Sequence, residues 1–269
     1  QSHVYVLRSR ADCTELIAAL ESKARVVIAG ASFIGLEAAA ALRHRGVDVT
    51  VVAPEPVPFA RVLGEEIGRM LHARHEREGV TMRLGRTIKQ INERDVVLDN
   101  DDVIPAELVL LGVGVRPVLQ LAESAGLSVD KGVIVDEYLQ TSAAGIYAAG
   151  DIARYPDPRT GQLIRIEHWV LAQRQGQTAA RNMLGRKEAF TAAPFFWTTQ
   201  YDVTVSYVGH AAGWDAMQVS GSIDDLDCTV AYLQGGDVCA VVTINRDKVS
   251  LNAEVAFEQN LNLLQVAHS

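Results

Sequence analysis

The chain is poor in cysteine. Cys13, Cys228 and Cys239 are its only three, with no CxxC among them. This argues against a disulfide framework, a zinc site and a thiol redox pair, and no metal site is expected. No apolar run reaches the roughly 18–20 residues that cross a bilayer, so no membrane partner is expected. Positive charge is in deficit: 25 Lys and Arg against 33 Asp and Glu give a net charge of −8. A general nucleic-acid partner is therefore excluded as the leading reading. Low-complexity tracts and internal repeats are missing too. The chain also lacks an initial Met, beginning Gln1-Ser2-His3. Residues 1–3 read as the remnant of an engineered protease site, with the natural sequence starting near Val4 as part of something longer. With no signal peptide read, a cytoplasmic location is expected. What is present is an ordinary globular balance, 48 % hydrophobic and 22 % charged in 269 residues, which suggests about two domains.

Periodicity gives a coarse map. Val4 to Leu7 is a short strand, and Asp12 is placed to cap a helix over Thr14 to Ser22. RVVIAG (Arg25 to Gly30) is a continuous apolar run ending in Gly, the pattern of a buried parallel strand. An Ala-rich helix over Ile34 to Arg43 and a strand over Val47 to Ala53 complete one βαβ unit. After Pro54, Pro56 and Pro58, a helix spans Glu65 to Glu78. Short strands follow at Thr81 to Leu84, Ile88 to Ile91 and Val96 to Leu98, with a turn at Asp99 to Asp102. LVLLGVG (Leu108 to Gly114) reads as a second buried parallel strand. His168 to Leu184 is helical. From Pro194, alternation of β-branched and polar residues predicts an antiparallel sheet, closed by a helix over Ala253 to Gln265.

Gly30-Ala31-Ser32-Phe33-Ile34-Gly35 occupies the strand-to-helix turn. In the GxGxxG dinucleotide fingerprint the first Gly makes the turn, the second admits the pyrophosphate, and the third lets helix and strand touch. Here Ser32 holds the second position, so a hydroxymethyl must fit beside the pyrophosphate or bond it. The strand before, the helix after and the next strand on schedule supply the required context. An acidic residue for the ribose hydroxyls belongs about 20 positions on. The strand ends at Ala53, so Glu55 is the substitute; Arg61 is the nearest cation for a 2′-phosphate. NAD(H) is favoured over NADP(H) on this ground. His72 and His75 lie one turn apart, but without a third ligand they read as an exposed polar face. Cys228 and Cys239 read as reduced cross-strand neighbours of one hairpin.

GASFIGLEAAAAL, LLGVGVRP, GIYAAGDIA, RIEHWVLAQRQGQTAARNMLG and PFFWTTQYD follow one another in an order that resembles the pyridine-nucleotide-disulfide-oxidoreductase-like flavoproteins. Within these, the chain is similar to the ferredoxin/rubredoxin reductase branch, which includes apoptosis-inducing-factor-like proteins and Rieske-type ferredoxin reductases. The resemblance implies an α/β fold in three parts. Residues 4–125 form a three-layer (ββα) Rossmann-like NAD(P) domain. Residues 126–193 form the second segment of a split FAD domain. Residues 194–269 form a C-terminal α+β domain with an antiparallel sheet. It also implies a preceding FAD segment with its own GxGxxG, missing here.

By the same resemblance, Gly30, Ser32, Phe33, Ile34 and Gly35 form the pyrophosphate turn, and Gly112, Val113 and Gly114 lie beside the nicotinamide. Glu37 matches a carboxylate near the nicotinamide carboxamide. Gly150 and Asp151 match the second FAD motif. Glu167, His168 and Trp169 match the helix start beside the isoalloxazine, and Trp197 and Gln200 the C-terminal segment approaching the flavin. Glu37 and Trp169 are the catalytic candidates.

The implied activity is hydride transfer from reduced nicotinamide to FAD, then single-electron transfer to a ferredoxin or Rieske-type iron–sulfur protein, with the cofactors carrying the chemistry. Two other readings stand beside it. One is a nucleotide-binding and interaction module without catalysis, whose uncovered apolar face makes a homodimer expected. The other is a relative of NADH oxidases or disulfide reductases.

Overall fold

Largely apolar runs bury both faces of a strand, and three such strands build the centre of the first unit. The computed structural model describes residues 3–20 and 24–267, with side chains to residue 265. Gln1 and Ser2 of the leading tripeptide, and Glu21 and Ser22 of the expected first helix, lie outside the described residues. Two compact units divide the chain. The first runs to Gly114 and includes Thr198–Thr204 and Ile223–Leu226; the second holds the remainder.

In the first unit, β1 (Val4–Val6), α1 (Arg10–Ala19), β2 (Arg25–Ala29), α2 (Phe33–His44), β3 (Asp48–Ala53), α3 (Ala60–Arg77) and β4 (Thr81–Leu84) come first. A meander of β5 (Ile88–Ile91), β6 (Asp95–Leu98) and β7 (Val103–Pro105) leads into β8 (Leu108–Leu111). The main sheet is parallel in the order β1-β8-β2-β3-β4. Val27, Val52 and Val109 meet Val96 and Leu98 of the meander in one buried cluster. Strand alternation sends Ile28 to the opposite face, under α2. Helices, parallel sheet and meander are the three expected layers.

Two local readings are corrected. Asp12 is not the cap of the first helix: Ser9 is, and Asp12 closes a capping box from the third helical position. Serine followed three residues later by an acid is the reciprocal pattern, so the helix starts earlier than Thr14. The helix expected from Glu65 is preceded by one turn from Ala60, broken where Gly64 takes φ 80°.

The second unit contains α4 (Gln120–Ser124) and a small sheet of β9 (Val133–Ile134), β10 (Ala153–Pro156) and β11 (Leu163–Ile164). α5 (Trp169–Met183) packs Leu171 and Ala179 against Leu139, Tyr155 and Phe190. The antiparallel sheet holds β12 (Phe195–Gln200), β13 (Val203–Gly209), β14 (Ala216–Ser222), β15 (Asp227–Gln234) and β16 (Asp237–Ile244), in the order β12-β13-β16-β15-β14. Val208, Ala231 and Val241 face Ala253, Phe257 and Leu263 of α6 (Asp247–Glu258) and α7 (Leu263–Ala267).

The single final helix is therefore two. Asn260 takes a left-handed φ of 53°, and the Asn262 side chain accepts from the Leu264 N–H to start the second helix. The cysteine pairing is also corrected. Cys228 stands opposite Ile244, while Cys239 lies beside the other end of the ladder, where Tyr232 pairs with Ala240. Both thiols are free. Among the described residues, no helix is long and apolar enough to cross a membrane.

Candidate functional site

A cleft of about 1110 Å³ opens in the first unit at the carboxyl ends of its parallel strands, lined by Ala29, Val52 and Leu111. This is where open α/β sheets place ligands, and its size is just above the roughly 300–1,000 Å³ usual for small molecules. Gly30 ends β2 with φ 108°, and its N–H donates to Val52 O at 2.7 Å. A methyl on Gly30 would overlap the Gly112 carbonyl. Gly35 allows the close approach of α2 to the turn: a methyl there would overlap the Gly30 carbonyl oxygen.

Ser32 has a protein role. It caps α2, its Oγ accepting from Gly35 N–H at 3.3 Å and donating to Gly112 O at 2.9 Å. The hydroxyl expected beside a pyrophosphate thus ties the β2–α2 turn to the end of β8.

The cleft gathers Gly30, Ser32, Phe33, Glu55, Arg61, Gly112, Val113 and Gly114 on its walls. Phe33 stacks on Phe59 with ring centroids 4.4 Å apart. A Cβ on Gly114 would meet no atom within 4 Å, so the space beside it is open, and it is the φ of 89° that favours glycine there. Gly35 is buried, while Ile34 and Glu37 stand on the exposed face of α2. Sequence reasoning missed Arg86 and Lys89, which also line the cleft. The signal for Arg86 was its position just past the end of β4.

Beside α2 the first unit holds a buried polar group that corrects the reading of His72 and His75 as an exposed face. His75 is fully buried. Its Nε2 lies 2.8 Å from Gln200 Oε1 and its Nδ1 3.2 Å from the Tyr201 hydroxyl. Gln200, expected on the segment approaching a flavin, is itself 1 % exposed and points to His75. It also donates to Thr198 Oγ1 at 3.1 Å, and Thr198 donates to Glu37 Oε1 at 2.6 Å.

Burial holds the His75 pKa below its usual value, against the Gln200 hydrogen bond and Glu78, with His72 and Arg74 also lowering it. Burial likewise lowers His168 and His210. Below the unfolded histidine pKa of about 6.5, the unfolded chain binds protons that the folded chain refuses. Stability is therefore expected to fall as pH drops from 7 to 5.5, a window above that of the carboxylates. A urea midpoint that rises over that window contradicts the assignment, and His75→Gln should show a smaller fall than the parent.

In the second unit, Gly150 takes φ 82° and donates its N–H to Gln175 Oε1 at 2.7 Å. Arg165 donates to Asp151 O at 2.9 Å and to Glu167 Oε1 at 2.7 Å, leaving the Asp151 side chain exposed. His168 is the N-cap of α5 but makes no side-chain cap bond. Among the described residues, His168 Nδ1 and Gln175 Nε2 are buried without a hydrogen-bond partner. Trp169, 57 % exposed, meets Trp197 edge-on at 5.8 Å, and His168 lies 5.4 Å from Trp197. The structure thus brings His168, Trp169 and Trp197 together.

Comparison with known proteins places these features. Residues 1–176 match the family described as pyridine nucleotide-disulphide oxidoreductase, and residues 195–266 match a reductase C-terminal domain. Rhodocoxin reductase of Rhodococcus erythropolis is 36 % identical over 98 % of this chain and 64 % of its own. Apoptosis-inducing factor 3 of Homo sapiens is 31 % identical over 94 % of this chain and 43 % of its own. The chain thus spans less than two thirds of these curated relatives. The solved covalent putidaredoxin reductase–putidaredoxin complex superposes with a TM-score of 0.93 at 30 % identity, covering 100 % of this chain and 66 % of that one. With its dinucleotide-type turn, three-layer first unit and antiparallel C-terminal sheet, the chain belongs to the pyridine nucleotide-disulphide oxidoreductase family.

Proposed function

We propose that the cleft binds a nicotinamide dinucleotide, and that the chain serves an FAD-dependent reductase delivering electrons to a ferredoxin or Rieske-type iron–sulfur protein. One observation carries the reading: Gly30 and Gly35 bring the N-terminus of α2 onto a strand end that opens into the cleft. A helix N-terminus offers free N–H groups and partial positive charge to a pyrophosphate. Glu55 would accept from the adenosine ribose hydroxyls, which favours NAD(H). The open space beside Gly114, with Gly112 and Val113 on the cleft wall, would take the nicotinamide half, with Glu37 near its carboxamide. The reductase names of the relatives support this reading.

Residues 4–125 would be the NAD domain, 126–193 the second segment of an FAD domain and 194–269 the C-terminal domain. The second unit has features that suit FAD. His168 Nδ1 and Gln175 Nε2 lack partners, the N-terminus of α5 has no side-chain cap, and Asp151 offers a free carboxylate for a ribitol hydroxyl. Trp169 and Trp197 would shape the flavin edge. Bound FAD would supply a two-electron acceptor that can release electrons one at a time.

Calorimetry of the chain with NADH, NADPH and ADP-ribose tests the cleft, and a visible absorption spectrum tests flavin retention. NADH binding with NADPH weaker is expected. NADPH binding more tightly would reassign the ribose site to Arg61 and Arg86, and no binding of any of the three would overturn the reading. A colourless chain that binds NADH would favour the nucleotide-binding module over catalysis by this chain alone.

A further inference from the structure

The hydrogen bonds that end on Glu37 can be oriented without ambiguity. An ionised carboxylate only accepts, so Thr198 must donate its single proton to Glu37 Oε1 across 2.6 Å. Thr198 Oγ1 can then only accept from Gln200, so the amide group facing it is the NH₂. Gln200 Oε1 consequently faces His75, and Nε2 of that ring carries the proton. A neutral imidazole leaves Nδ1 as an acceptor, so the Tyr201 hydroxyl donates to it. Four donors thus run in one direction, from Tyr201 through His75, Gln200 and Thr198 to Glu37. Bonds in such a file polarise one another in a buried setting. Thr198, Gln200 and His75 are each 1 % exposed or less.

The sequence builds this file from three elements. Thr198 and Gln200 are two apart on β12 and share a face. Their neighbours Trp197 and Thr199 alternate to the other face and are exposed. His75 comes from the last turn of α3, and Glu37 from the exposed face of α2. An unrestrained glutamate on a helix surface samples many rotamers. Here one oxygen is occupied by a buried hydroxyl, and the other remains to accept from an incoming donor.

We propose that Thr198, Gln200 and His75 are positioning residues. They hold the Glu37 carboxylate in one orientation in the free protein, so that its second oxygen meets the N–H donors of a carboxamide at reduced ordering cost. The ligand class is a nicotinamide bearing its carboxamide. The inference rests on the reading of Glu37 given above and adds the device that aims it.

The test compares NADH with ADP-ribose, which lacks the nicotinamide, by calorimetry on the whole chain. Glu37→Gln and Thr198→Val are each expected to weaken NADH about tenfold, the scale of one charge-assisted hydrogen bond, and to leave ADP-ribose within about twofold. The double variant should be no weaker than Glu37→Gln alone, because the two residues act as one unit. Thr198→Ser, which keeps the hydroxyl, should bind as the parent does. Thr198→Val without effect beside a weakened Glu37→Gln overturns the positioning file while leaving Glu37 in place. Thr198→Val weakening both ligands equally also overturns it, since a purely structural role would do that. Glu37→Gln without effect in a chain that binds NADH overturns the assignment of Glu37 itself.

Discussion

Gly35→Ala is expected to abolish dinucleotide binding and to cost the chain about 3 kcal/mol of stability, the upper range of overpacking. The added methyl would overlap the Gly30 carbonyl oxygen and crowd its carbon at 3.2 Å, with Ile28 Cγ2 already in ordinary contact on the other side at 3.6 Å. Neither partner can yield cheaply. Gly30 N–H is held by Val52 O at 2.7 Å, and Gly112 N–H by Ala29 O at 2.8 Å, so the turn is tied to the strands on both sides. Ile28 is fully buried and fills the space between sheet and helix. The relief left is for α2 to lift away, carrying its N-terminal N–H groups and the Ser32 cap from the pyrophosphate position. Urea unfolding and NADH calorimetry on the same variant check both halves. A midpoint and an affinity like those of the parent would mean that the close approach at Gly35 is not what places the helix.

Replacement of Asn182 by Ala is expected to cost about 2–4 kcal/mol in the second unit. Asn182 is 5 % exposed near the end of α5, and its amide serves three backbone groups. Nδ2 donates to Tyr138 O and Glu188 O at 2.8 Å each, and Oδ1 accepts from Glu188 N–H at 2.6 Å. Removing the amide leaves those groups partly buried without partners, at roughly 1–3 kcal/mol for each that water cannot reach. Asn182→Asp should be worse than Ala, because it sets acceptors against the two carbonyls while keeping only the bond from Glu188 N–H. Urea midpoints of the two variants test this. An Asp variant as stable as the parent would show that the two Nδ2 bonds carry little.

The parts that sequence reading recovered are those written in local chemistry. Arg25 to Gly30 and Leu108 to Gly114 read as buried parallel strands because a continuous apolar run with no polar face fits a covered sheet, and Val47 to Ala53 reads as the next strand of the βαβ unit. Gly30 and Gly35 were legible because their spacing encodes a turn and a close approach within six residues. Asp12 and the final helix were misplaced for local reasons as well. A capping box names its cap three residues upstream, and a break such as Asn260 is weakly signalled when apolar periodicity continues across it.

His75 shows where such reading ends. A histidine beside Arg74 and Arg77 on a charged helix reads as exposed by its neighbours, yet it is fully buried, four and eight residues after Leu71 and Ile67 on the apolar face of α3. Its partner Gln200 is more than a hundred positions away, and no periodicity links the two. Cys228 and Cys239 failed in the same way, since strand register over a whole hairpin, and not spacing, decides which residues face each other.

The sequence by itself determined the parallel strands, the glycine turn at Gly30 to Gly35, the antiparallel C-terminal sheet and, through the ordered motifs, the family. These follow from short-range sterics and from the period of hydrophobic residues. Only the tertiary structure decided that Ser32 caps α2 toward Gly112, that Arg86 and Lys89 line the cleft, and that Tyr201, His75, Gln200 and Thr198 line up on Glu37. Those relations arise when polar groups distant in the chain are buried together and must satisfy one another's hydrogen bonds, a condition that no local pattern records.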